Sequence, residues 1–506
     1  MKPGQGEVSS PGKVGDPVVH DLLIAAARPA DSIALRGVNG ATVTYSELEA
    51  DSRQLAQRLI SRGVVVGDRV AFQVRKSMKA ISLHLALLRC GAIQVPINPD
   101  YAETEVHGFL SDADAAVFIR DPACAKLDGP WADFTLNENG HGTLLDLSLS
   151  DAPLPAVQSH DGAAILFTSG TTGRPKGALL THRNLAHNAL TLIEAWGFTP
   201  EDHLAHVLPL FHTHGLFVAV HCALGSGASM TVVPRFDVDT VLDVIAGETP
   251  CTVLMGVPTH YSRLLNSPRF NRTSTGSVRL LVSGSAPMTP RLHEEVASRT
   301  GHEVLERYGM TETSMLTSNP LHGRRKPGSV GRPLAGVDVR IAGTDTAREG
   351  AGEVEVRGPN VFSGYWRQPE LHDQVFTADG WFRTGDLGRF DSDGYLFLVG
   401  RVKDLIISGG LNVYPADVES VLDSLPGVRE SAVVGVPDAD LGERVMGVVV
   451  LKPGADADGD RLRLLSRERL AGYQVPKRIV IVDELPRNAM GKVEKSLLRE
   501  ALVEQP

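Results

Sequence analysis

The chain has 506 residues, a formal net charge of −10 and a pI near 5.9, with 42% hydrophobic and 22% charged residues. That length suits about three domains, and the balance is that of a protein with a true apolar core. The acidic charge excludes nucleic acid and anionic membrane surfaces as main partners, and no apolar run approaches the ~18 residues of a membrane span.

Residues 1–18 are rich in Gly, Pro and Ser, lack an apolar centre and read as a flexible tail. From about residue 19 to 234, helical and buried-strand patterns alternate. Residues 51–62 have helical apolar spacing, 68–74 read as a strand, 79–91 as an apolar helix and 163–167 as a buried strand. Further strands are predicted at 252–255, 279–282 and 352–357. The alternation predicts an α/β fold, a large N-terminal domain of helix-covered β-sheets over residues 19–401. Near residue 394 the texture changes. A strand at 395–399 leads into the charged junction GRVKD (400–404). A small α+β lid domain follows over 402–506, with a helix at 413–425, strands at 432–436 and 444–451, and a polar loop at 453–460. The four cysteines, Cys90, Cys124, Cys222 and Cys251, form no CxxC pair and carry no metal-type spacing, which points to reduced thiols and a cytoplasmic location.

The string TSGTTGRPKG (168–177) follows the strand at 163–167. Gly170, Gly173 and Gly177 let backbone approach a ligand closely. Thr168, Ser169, Thr171 and Thr172 can donate to phosphate oxygens, and Lys176 adds positive charge. The spacing is not that of a Walker A loop. The string resembles the phosphate loop of the superfamily of acyl- and aryl-CoA synthetases, luciferases and non-ribosomal adenylation enzymes. Five further segments match that superfamily in order: RYGMTET (307–313), TGD (384–386), GRVKD (400–404), SGGLNVYP (408–415) and PRNAMGK (486–492). The resemblance runs from about residue 20 onward.

It implies an ATP-dependent enzyme that joins a carboxylate to the α-phosphate, expels pyrophosphate and passes the acyl group to coenzyme A. Such chemistry between anions needs cations, backbone donors and Mg²⁺. By resemblance, Glu312 holds the Mg²⁺ and Thr311 bonds the α-phosphate. Ser285, Ala286 and Pro287 flank the adenine with Arg307, Tyr308, Gly309 and Met310, while Asp386 and Arg401 hold the ribose. Lys492 is the catalytic cation at the reacting carboxylate. Lys403 is the hinge, and Gly409 and Gly410 line the thiol tunnel. Lys492 is also expected to be a substrate for a lysine acetyltransferase, since acetylation deletes the charge.

The segments PLFHTHGL (209–216), MGVPTHY (255–261), VSGSAPM (282–288), ERYGMTETSMLTSNP (306–320) and GPNVFSGYW (358–366) together resemble those of malonate-activating members. A second carboxylate needs a cation or several donors, and Arg279, Arg235, His212 and Ser283 are the candidates. An aspartate that would hold an amino-acid ammonium is lacking, with His212 and Thr213 in its place. Short-chain or aryl acids, and a carrier protein in place of CoA, remain open as alternatives.

Overall fold

Apolar runs that do not alternate require sheets covered on both faces, and several strands of this chain are of that kind. All four residues of Ile93–Pro96, Val253–Gly256 and Leu280–Ser283 are buried. The computed structural model describes residues 17–24, 29–168, 175–343, 350–438, 440–487 and 491–503.

Two large sheets form the N-terminal part. The nine-stranded sheet runs, in spatial order, Arg332–Pro333, Ser314–Ser318, Leu305–Met310, Leu280–Ser283, Val253–Gly256, His203–His206, Ser229–Val232, Ile33–Gly37 and Thr42–Thr44. Its centre is parallel. The six-stranded sheet runs Ala132–Thr135, Val117–Arg120, Arg69–Gln73, Ile93–Pro96, Gly162–Thr168 and Lys176–Thr181. The helices Tyr45–Ser61, Met78–Arg89 and His182–Ala195 pack with these sheets into one apolar core. A capping box starts the first: Thr44 accepts from the Glu47 amide and Glu47 accepts from the Thr44 amide.

A four-stranded antiparallel sheet follows, Asp338–Ile341, Gly352–Arg357, Phe382–Phe390 and Leu396–Arg401. After Arg401 the chain makes a single 3₁₀ turn, Val402–Asp404, and enters a separate five-stranded sheet. Its strands are Leu411–Val413, Ile406–Ser408, Gly442–Leu451, Val428–Asp438 and Arg478–Val482, with two apolar clusters of their own. This unit sits against the N-terminal part. Arg291 Nη1 donates to the Val428 carbonyl at 3.2 Å, and a Cβ at Gly491 would stand 3.0 Å from Thr259 Oγ1.

The predicted helices and strands are present, with shifted ends. One feature departs from expectation. The stretch 453–460 ends in a helix, Gly459–Ser466, capped by Asp458. The strand Lys176–Thr181, which follows the phosphate-loop string, pairs antiparallel with Gly162–Thr168.

Candidate active site

In parallel sheets, ligands gather beyond the carboxyl ends of the strands. Here three such ends converge: His206 and the segment to His214, Gly256 to His260, and Ser283 to Pro287. The RYGMTET segment adjoins them on the strand Leu305–Met310 and the turn after it.

The nucleotide-side residues assemble closely. Asp386 and Arg401 are register partners on neighbouring strands, and Arg401 Nε lies 2.8 Å from Asp386 Oδ1. The Tyr308 hydroxyl donates to Asp386 Oδ2 at 2.6 Å. Burial, reinforced by the Asp386 charge, holds the Tyr308 phenol well above its ordinary pKa, so it stays a donor. The contact between Tyr308 and Asp386 was not foreseen from sequence; the two lie 78 residues apart. Ser285 adopts φ +68°, a costly conformation for a non-glycine residue and one that clusters at functional sites. Its hydroxyl bonds His214 Nδ1 at 3.2 Å. Ala286 and Pro287 continue that turn. Met310 closes the Leu305–Met310 strand beside Gly309, and Thr311 begins the turn that follows.

Glu312 is 5% exposed. Burial raises its carboxyl pKa, opposed by hydrogen bonds from its own backbone and from Tyr365. The Tyr365 hydroxyl donates to Glu312 Oε1 at 2.9 Å. A buried carboxylate with one oxygen engaged and a high ionisation cost fits a hard cation. Among the described residues no cluster of three or more His, Cys, Asp or Glu forms. A single carboxylate suits Mg²⁺, which takes its remaining ligands from water and phosphate.

Thr168 closes its strand, with its hydroxyl 3.4 Å from the Lys176 carbonyl. Lys176 Nζ lies 5.4 Å from the centre of the Tyr365 ring. Ser169, Gly170, Thr171, Thr172 and Gly173 lie outside the described residues.

Lys492 follows Gly491, whose carbonyl accepts from Arg487 at 2.6 Å. It is drawn into the site. Burial, then the neighbouring Arg401 charge, lowers its ammonium to about 8, with Asp386, Lys403 and Asp404 also within its field. Lys403 lies exposed in the Val402–Asp404 turn. Gly409 and Gly410, at φ +60° and +77°, are the two linking residues of the Ile406–Ser408/Leu411–Val413 hairpin. A tight two-residue turn of that hand needs positive φ at both, so these glycines have a local reason as well as any role at a tunnel.

The acyl side departs most from expectation. Arg279 precedes its strand and lies about 13 Å from Ser283 at ~3.3 Å per residue. Its Nε and Nη2 bond both Asp202 carboxylate oxygens at 2.7 and 2.6 Å, and its other donors go to the Trp196 and Gly197 carbonyls. The expected role at the acid is corrected: Arg279 ties the far end of the sheet to a buried aspartate. Arg279→Ala is expected to cost about 3 kcal/mol of stability, because Asp202 stays buried without its partner, while leaving the Michaelis constant for the acid unchanged. Urea unfolding and steady-state kinetics on one preparation check both. Arg235 is exposed, and the adjoining Phe236 stacks on His260 with ring centres 4.0 Å apart.

A different set of groups turns inward. His212 Nε2, Thr213 Oγ1, His214 Nε2, His260 Nδ1 and Ser283 Oγ are buried and make no hydrogen bond. So are Nε and Nη2 of Arg307. Burial lowers His212 to about 4 and His260 to about 3, so both rings are neutral near pH 7. His214 is lowered by burial and by the charge of Arg307. The Arg307 guanidinium lies on Gly284, where a Cβ would stand 2.5 Å from Cζ; only glycine leaves that room. Burial pulls Arg307 down to about 9. Sequence grouped Arg307 with the nucleotide contacts, yet its head group adjoins His214 and Tyr261. The strings PLFHTHGL and MGVPTHY already held His214 and His260. A seven-residue π-helical stretch, His214–Val220, begins here, a rare form often found at functional sites.

The chain matches the family model described as AMP-binding enzyme over residues 23–366, and the AMP-binding enzyme C-terminal domain over residues 417–492. The mitochondrial malonate–CoA ligase ACSF3 of Mus musculus is 37% identical over 509 residues, covering 91% of this chain and 87% of its own. A feruloyl-CoA synthase of an Amycolatopsis species is 37% identical over 465 residues, covering 91% and 94%. ATP-bound MatB from Rhodopseudomonas palustris is 46% identical, covers 96% of this chain and 99% of its own, and superposes with a TM-score of 0.92. Apo MatB, at the same identity and coverage, gives 0.83. The arrangement seen here is thus nearer the ATP-bound one. By the extent of these matches, with both units of the site in order, this chain belongs to the AMP-binding enzyme family.

Proposed function

We propose that this enzyme adenylates a short dicarboxylic acid, malonate first and methylmalonate next, with ATP, and then transfers the acyl group to coenzyme A. The observation that carries the choice of acid is the unpartnered Arg307 guanidinium among buried donors. An unpaired buried cation is costly, and an acid with a second carboxylate would relieve that cost with a bidentate pair. A purely apolar acid such as ferulate would leave the cost in place. Relatives of equal identity act on malonate and on ferulate by name, so identity alone does not choose.

In this reading one carboxylate of the acid pairs with Arg307, backed by Ser283, His212 and His214, and the other points to the α-phosphate. An oxygen of the second carboxylate attacks phosphorus, and pyrophosphate leaves. The Lys492 ammonium and the Thr311 hydroxyl meet charge that grows on the reacting oxygens. Mg²⁺, held by Glu312, would neutralise phosphate charge. Asp386, fixed by Tyr308 and Arg401, accepts from the ribose hydroxyls. Lys176, with the loop before it, would hold the terminal phosphates. Exposed Arg235 would be a rim cation that draws the dianion in.

The lid is inferred to begin at residue 402 and to turn about Lys403. Lys492 then leaves the site, and the Gly409–Gly410 hairpin enters it for attack by the CoA thiol on the acyl carbon, with AMP as leaving group. A lysine acetyltransferase would reach Lys492 only with the lid turned away from Thr259. Among the described residues no helix is long and apolar enough to cross a membrane. The four free cysteines favour a reducing, cytoplasmic setting.

The test is pyrophosphate release with free CoA across acetate, malonate, methylmalonate, succinate, octanoate and benzoate, with product masses. Malonate should be used best. Preference for octanoate or benzoate would overturn the dicarboxylate reading, and pyrophosphate release without acyl-CoA would point to carrier-protein loading.

A further inference from the structure

Tyr365 lies in the segment GPNVFSGYW (358–366), where the resemblance assigns it no role, yet it touches two of the motifs. The segment 362–366 lies along the strand that follows the phosphate loop: Ala178 and Tyr365 form a bridge, Trp366 N donates to the Gly177 carbonyl at 2.7 Å, and Leu179 N donates to the Gly364 carbonyl at 3.3 Å. The same segment holds the RYGMTET turn, since Phe362 N donates to the Glu312 carbonyl at 2.8 Å. Between these anchors the Tyr365 side chain does two things. Its hydroxyl donates to Glu312 Oε1 at 2.9 Å, and its ring face lies under Lys176 Nζ at 5.4 Å. An ammonium within ~6 Å of an aromatic centre is attracted to the ring face. Phe362 packs edge-on against the ring at 5.0 Å and limits its rotation.

We infer that Tyr365 is a positioning residue that couples the divalent cation to the triphosphate, fixing the Glu312 carboxylate through its hydroxyl and Lys176 through its ring. With Oε1 engaged by the phenol, the carboxylate plane is set before the cation arrives. Groups that orient a metal ligand this way typically govern metal affinity by 10- to 100-fold. The inference rests on Glu312 being the cation ligand.

The experiment measures ATP binding to the full chain by calorimetry, in EDTA and in saturating Mg²⁺. The quantity of interest is the gain in affinity that Mg²⁺ brings. Tyr365→Phe keeps the ring and loses the hydroxyl: its metal-free affinity should equal that of the wild type, while the Mg²⁺ gain shrinks about 10-fold or more. Tyr365→Leu should weaken metal-free binding as well. In a Glu312→Gln background, Tyr365→Phe should change nothing further. A full Mg²⁺ gain in Tyr365→Phe would overturn the inference, as would an equal loss with and without metal, which marks a merely structural contact. If Glu312→Gln alone keeps the Mg²⁺ gain, the assignment of the cation to Glu312 fails instead, and the two failures are distinguishable. Thermal unfolding confirms that each variant is folded. Should Tyr365→Phe not fold, the Glu312→Gln variant still decides: a Mg²⁺ gain unchanged by it removes the basis for the coupling.

Discussion

Arg307→Met is expected to move activity and stability in opposite directions. With malonate, kcat/KM should fall on the order of 100-fold, as when one member of a buried, hydrogen-bonded charge pair is removed, at about 3 kcal/mol. With butyrate, which matches malonate in length but has no second charge, the change should be small or a gain. The KM for ATP should hardly move. The folded protein alone should become more stable, by about 2 kcal/mol, because methionine fills much of the arginine's volume without a desolvated charge. Few active-site substitutions carry a stabilising prediction, and this one follows from burial that already pulls Arg307 down to about 9. Urea unfolding without ligand and steady-state kinetics on the two acids are the measurements. A loss of the same size for malonate and butyrate would show that Arg307 shapes the pocket without reading charge. A lower unfolding midpoint would show that the guanidinium is satisfied in the free protein, and the choice of acid would lose its support.

The contrast between Arg307 and Arg279 shows what the sequence could and could not disclose. Arg279 precedes the buried strand Leu280–Ser283 and was read on the acyl side, whereas Arg307 lies within the strand Leu305–Met310 and was read with the nucleotide contacts. What separates them is the partner, and partners are set by tertiary placement. Asp202 lies 77 residues from Arg279 and nothing local links the two. Motifs compact in sequence were legible because their chemistry is local. The buried strand before the phosphate loop and the Glu312 turn each need particular residue types at fixed spacing, whereas the Gly409–Gly410 hairpin was not foreseen. The alternation of buried strands and helices was legible for the same reason, since burial on both faces leaves unbroken apolar runs. The helix Gly459–Ser466 was hidden by its Gly and Asp content, which reads as a loop until Asp458 is seen to cap it. The Tyr308–Asp386 and Tyr365–Glu312 bonds span 78 and 53 residues, beyond the reach of periodicity or motif.

Lys492→Ala is expected to separate the two half-reactions. Adenylation, followed as pyrophosphate release or as acid-dependent pyrophosphate exchange, should fall on the order of 100- to 1,000-fold, the usual cost of deleting one preorganised donor to a developing charge. Transfer from a preformed acyl-adenylate to CoA should keep most of its rate if, as proposed, that step belongs to a lid position in which Lys492 is withdrawn. The pH dependence gives a second, independent reading. Lys492 acts as a cation, and in the free enzyme burial and the Arg401 charge lower its ammonium to about 8. Protonated enzyme therefore dominates below pH 8 and is lost above it, so kcat/KM for adenylation should decline as pH rises through about 8, well below the usual lysine range. Arg401→Gln removes the largest cationic contributor and should move that decline to higher pH, even as it weakens nucleotide binding. If the decline stays in place in Lys492→Arg, whose guanidinium does not titrate there, it belongs to another group. An equal loss of both half-reactions in Lys492→Ala would mean that the residue does not leave the site between them, and that the lid does not turn.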